Sequence, residues 1–181
     1  MTAYVLVVVA AVAAVVAWAF ARGPGVRTVS ALGIAGLAGV AAIATLFEDP
    51  LAGDQRPVFV LFGAILAIAG GAVVTTAVFA QIDGAAGEAD DSGSMHAAGE
   101  LLRGGAWIGA LERFSVFLTL AARWPEGIAV VLAVKGLGRY AELRSHAGTG
   151  AAERFIIGSL VSLAWAALAS YLVFEPYVIA R

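Results

Sequence analysis

Three stretches of this chain, Thr2–Phe20, 29–47 and 58–80, run without a single charged side chain. A helix rises about 1.5 Å per residue, so about 20 apolar residues cross a hydrocarbon layer about 30 Å thick. Each stretch therefore has the length and chemistry of a membrane span. Composition points the same way: of 181 residues 61% are hydrophobic and 13% charged, against about 45–50% and about 25% in a soluble domain. This excludes an ordinary soluble globule, a disordered chain and a nucleic-acid binder. The formal net charge of −2 offers no basic surface to a phosphate backbone. With no cysteine, disulfides, thiolate metal sites and cysteine nucleophiles are also excluded. Continuous rather than alternating apolar runs argue against a β-barrel. The expected fold class is all-α, a polytopic transmembrane bundle of about six helices.

The remaining three spans are expected at 104–122, 126–139 and 155–174. The first contains Glu112 and Arg113, the second follows Pro125 and contains Lys135, and the third is uncharged. Three regions follow: an apolar scaffold at 1–80, an acidic flexible loop at 81–103, and a second half at 104–181 that carries the intramembrane charges. Thr2–Phe20 lacks a basic leader and exceeds a signal-peptide core in length, so a retained helix is expected. Arginines set the orientation. The first, third and fifth connections hold Arg22, Arg27, Arg103, Arg139, Arg144 and Arg154, and the other side holds Arg56, Arg123 and Arg181. Both termini are then outside, and the expected location is the bacterial cytoplasmic membrane. Trp18, Trp107, Trp124, Tyr4, Tyr140 and Tyr171 fall near helix ends, whereas Trp165 is expected between helices. Gly33, Gly36 and Gly39, and separately Gly63, Ala67 and Gly71, form small-residue stripes of the kind that let helices approach closely.

A charge at mid-membrane costs about 2.5–3.5 kcal/mol, so Glu112, Arg113 and Lys135 each demand a partner. Folding the chain about a turn centred between residues 123 and 124 brings Glu112 level with Lys135, which predicts an ion pair. Arg113 points about 100° away from Glu112, and Glu153 is one candidate partner. Glu112, Ser115 and Thr119, then Lys135, Arg139 and Glu142, then Glu153 with Ser159 and Ser162, form polar stripes that could converge on one pocket. The candidate ligand-binding or ion-pair residues are Glu112, Arg113, Lys135, Arg139, Glu153, Arg154 and Ser159. A wholly structural pair that locks helix register is the competing reading. The tripeptide Glu-Arg-Phe occurs at both 112 and 153, without wider self-similarity.

The runs Ile108-Gly109-Ala110-Leu111-Glu112-Arg113, Ala133-Val134-Lys135 with Arg139, and Ala152-Glu153-Arg154-Phe155-Ile156-Ile157-Gly158-Ser159-Leu160 with Ser162 resemble an uncharacterised family of small bacterial membrane proteins. Its pattern is roughly IGxLER, AxKxxxR and AEYxLIGTLxS. The resemblance covers about 104–165, and this chain has Arg154 in place of Tyr and Ser159 in place of Thr. It implies no activity, but it marks the same residues.

No catalytic set, metal site or cofactor motif is expected. His96 and His146 lack companions at ligand spacing, and no serine is placed level with Lys135 on a facing helix. Expected partners are membrane lipids, with a second copy or a membrane-complex subunit beside them, and no nucleic acid. Three functions remain in order: transport or translocation of a small anionic solute, proton or lipid headgroup; an accessory subunit of a membrane complex; and an enzyme acting on a lipid phosphate.

Overall fold

The computed structural model describes residues 1–48, 55–86, 105–145 and 151–174, apart from the side chains of 83–86, 105, 141–145 and 151. All regular structure among them is helical. The elements are α1 (Thr2–Phe20), α2 (Pro24–Thr45), α3 (Arg56–Ile65), a π turn (Leu66–Gly70), α4 (Gly71–Ala86), α5 (Gly105–Ala121), α6 (Gly127–Ser145) and α7 (Ala151–Phe174). The π turn joins α3 and α4 into one rod. Four helical segments are long and apolar enough to cross a membrane: Thr2–Phe20, Pro24–Thr45, Arg56–Ile82 and Ala152–Phe174. The described residues thus form an all-helical bundle with membrane-span composition.

Helix ends depart from the hydropathy boundaries for local reasons. α2 begins at Pro24, ahead of 29, because proline suits a first helical turn and Gly23 supplies a positive φ of 91° before it. α4 continues to Ala86, into the region expected to be loop. Residues 87–104, which hold most of the expected acidic loop together with His96, lie outside the described residues, as does His146. α6 runs past Arg139 to Ser145.

The start of α1 is capped from a distance. The first amide hydrogens of a helix have no partner within it, and no neighbouring side chain caps those of α1. Glu48 does so instead, accepting from Thr2 N at 2.7 Å, Ala3 N at 3.1 Å and the Met1 ammonium at 2.7 Å. The ammonium first, then the helix-end donors, hold the Glu48 carboxyl at about 2, well below its ordinary 4.5.

α5 ends in a Schellman motif with Arg123 at the left-handed position (φ 56°). Arg123 N donates to Leu120 O at 3.0 Å and Trp124 N to Thr119 O at 2.8 Å, which satisfies carbonyls left open at the helix end. Pro125 follows, and α6 departs antiparallel to α5.

Alanines carry the α1–α2 contact: Ala10, Ala11 and Ala14 meet a face of Ala31, Ile34, Ala38 and Ala41, all buried. Gly33, Gly36 and Gly39 are exposed, and a Cβ added at any of them would meet nothing within 4 Å among the described residues. The expectation that this stripe packs helices is corrected. It stands two residues from the buried one, about 200° around the helix. Gly63, by contrast, does pack, with Val173 and Phe117 against its backbone. Trp18, Trp107 and Trp124 are exposed, while Trp165 is buried at 6%.

Candidate functional site: a buried guanidinium between three helices

α5 presents adjacent charges to different neighbours, because consecutive helical residues diverge by about 100°. Glu112 turns toward α6 and forms an ion pair with Lys135 Nζ. The two side chains are only 12% and 16% exposed. Lys135 also stands 5.8 Å over the Phe155 ring, which ties α6 to the first turns of α7. The attraction between ammonium and ring face adds to the pairing.

Arg113 turns the other way, into the interior, where it is 6% exposed. Its Nη1 donates to Ser162 Oγ on α7 at 3.2 Å. Its aliphatic stem lies on Gly71, where a Cβ would overlap Arg113 Cδ. Glycine is thus required there by close approach. At Gly70 a Cβ would lie 2.7 Å from Trp165 Nε1, so the glycine pair at the end of the π turn makes room for an indole and a guanidinium together. Trp165 Nε1 donates to Leu66 O at 2.9 Å, supplying a partner where the helix changes register. Arg113 is central in Gly105–Ala121, and the π turn is central in Arg56–Ile82. Arg113, which meets Gly71, therefore lies level with the middle of the apolar rod Arg56–Ile82.

Three polar atoms at this junction are buried without a hydrogen-bond partner: Arg113 Nε, Ser159 Oγ and Thr75 Oγ1. Their proximity follows from the packing on either side. Gly71 meets Arg113 and Trp165, and Phe79 meets Gly158. Thr75, midway between Gly71 and Phe79 on one helix face, is therefore level with Ser162 on α7, and Ser159 stands about a turn away. Among the described residues, Arg113 forms no ion pair with a carboxylate.

The other candidates lie elsewhere. Glu153 is exposed in the first turn of α7, so it is Ser162, and not Glu153, that partners Arg113. Arg154 sits 5.6 Å over the Phe79 ring. Arg139 lies one turn beyond Lys135 on α6, partly buried. Thr119 bonds back to Val116 O at 2.8 Å within its own helix. The structure brings the candidates together as two contacts on faces of α5 about 100° apart, Glu112 with Lys135 and Arg113 with Ser162. Sequence reasoning missed Thr75 and the Gly70-Gly71 pair as parts of the site. A signal was present: Thr75 and Thr76 are the only hydrogen-bonding side chains in 58–80.

Chemically, the Arg113 junction can donate hydrogen bonds and present one positive charge. Among the described residues no three His, Cys, Asp or Glu side chains gather as a metal set. Compared with known families, curated proteins and solved structures, the chain matches none, so its functional reading rests on its own residues.

Proposed function

We propose that this chain is a six-span protein of the bacterial cytoplasmic membrane, with both termini outside. In this reading it passes a small anionic species, either a free solute or a lipid headgroup, through the junction at Arg113. α5 and α6 cross as a hairpin. Their charges would oppose insertion singly, but the Glu112–Lys135 pair cancels two of them, and α5 packs alongside α7 and the π turn. That pair is read as a lock on the hairpin, because it is self-neutral and faces away from the junction.

One observation carries the transport reading: a buried guanidinium with a hydroxyl partner and, among the described residues, no carboxylate in ion-pair contact with it. An intramembrane charge left uncompensated is costly, and such residues mark ion and substrate paths. A transiting anion supplies the missing charge.

The test is reconstitution into proteoliposomes with two cargo arms, influx of iodide or nitrate and flip of a fluorescent phosphatidylglycerol. The purified chain is expected to raise one of these rates above protein-free vesicles. Arg113→Gln is expected to lower that rate at least about tenfold while far-ultraviolet circular dichroism stays unchanged, consistent with loss of a charge-assisted contact worth about 1.4 kcal/mol or more. No rate above the protein-free control in either arm, or equal rates with and without the guanidinium, overturns the reading.

A further inference from the structure

Arg113 Nε, Thr75 Oγ1 and Ser159 Oγ are unpartnered in a place where water is scarce. Arg113 and Ser159 are each more than nine-tenths buried. Buried polar groups are nearly always hydrogen-bonded, so three orphans within about two helical turns of one another call for an occupant. The surrounding charge specifies its chemistry. Glu112 and Lys135 neutralise each other, which leaves a single surplus positive charge at the junction. One negative charge cancels it, and a second would be buried unpaired at high cost. The donors on hand are the guanidinium N–H groups not spent on Ser162 and two hydroxyls, with Gly70, Gly71 and Trp165 beside them. They can replace part of a hydration shell but not the full shell of a strongly hydrated dianion.

We infer that Thr75, Arg113 and Ser159 form a binding site for one weakly hydrated monoanion, of the halide, nitrate or phosphodiester class, between α4, α5 and α7. The inference rests on the anionic cargo proposed above and specifies its charge and hydration. Thr75 and Ser159 donate their hydroxyl hydrogens to the anion, and Arg113 donates through Nε while Nη1 stays on Ser162. Gly71 is flanked by both Arg113 and Trp165, so the indole borders the site. It serves as a built-in reporter, because iodide quenches indole fluorescence.

The experiment titrates iodide into the purified full chain in phosphatidylcholine nanodiscs at constant ionic strength. The exposed Trp18, Trp107 and Trp124 are replaced by Phe so that Trp165 alone is read. Quenching is expected to saturate. Thr75→Val and Ser159→Ala, mild changes in helices that remain apolar, are each expected to raise the midpoint about tenfold, as loss of one hydrogen bond to a charged group does. Nitrate is expected to displace iodide and sulfate to fail. Displacement by dioctanoyl phosphatidylglycerol assigns the monoanion to a headgroup, and its failure assigns it to a free ion; both outcomes retain the site. Linear, unsaturated quenching that is identical in the parent, Thr75→Val and Ser159→Ala overturns the inference, as does sulfate competing as well as nitrate. Saturable binding without flux keeps the site and removes transport, whereas flux without saturable binding does the reverse.

Discussion

Removing Glu112 strands the Lys135 ammonium at the centre of α6, beside a Phe155 ring that softens its isolation. With α6 crossing the membrane as proposed above, a lone cation at its middle costs about 2.5–3.5 kcal/mol, and a ring face at this range returns about 0.5–2 kcal/mol. Glu112→Gln is therefore expected to destabilise the chain by about 2 kcal/mol. Lys135→Met leaves a carboxylate only 12% exposed, with no ring to compensate. Its cost is expected to be about 2–3 kcal/mol, toward the range for breaking a buried pair. The double variant removes both charges and fills the space with neutral side chains of similar size, so it is expected within about 1 kcal/mol of the parent. With the double variant costing about 0–1 kcal/mol, these figures imply a coupling energy of about 3–5 kcal/mol. Unfolding by sodium dodecyl sulfate in mixed micelles, followed by circular dichroism, measures all three variants. Single changes that each cost under about 0.5 kcal/mol, or that add up to the double, would refute the claim that the pair locks the α5–α6 hairpin.

Three further outcomes are expected. Trp165→Phe leaves the Leu66 carbonyl without its indole donor and is expected to destabilise by about 1–3 kcal/mol; the same micelle unfolding reads it, and an unchanged midpoint contradicts the role given to the indole. Glu48 has a lowered pKa of about 2, so its cap is fully effective above the ordinary 4.5 and is lost as pH falls from 4.5 through 2. Melting temperature should fall across that window in the parent, and Glu48→Gln should flatten the contribution. Arg123→Gly relieves a left-handed backbone at a non-glycine residue, which costs about 1–2 kcal/mol, less the flexibility glycine adds to the unfolded chain. A net gain of about 0.5–1 kcal/mol in the same unfolding assay is expected, and a loss would mean that the arginine side chain holds the turn.

The helices themselves, and the pairing of Glu112 with Lys135, were determined by the sequence alone. Long uncharged runs leave helix as the economical way to satisfy backbone groups in an apolar medium. Two residues equally far from a tight turn reach the same height because helical rise is uniform. Both properties are read along a single chain. The tertiary structure alone decided which face of each helix turns inward: it buried the alanines of α2 and exposed Gly33, Gly36 and Gly39. It also chose the partners that lie far apart in sequence, Glu48 for the start of α1 and Ser162 for Arg113. Those choices depend on how several helix surfaces pack at once, since rotation about each axis is settled by the fit of all its neighbours. A linear pattern states which residues share a face of their own helix, and only packing states what that face meets.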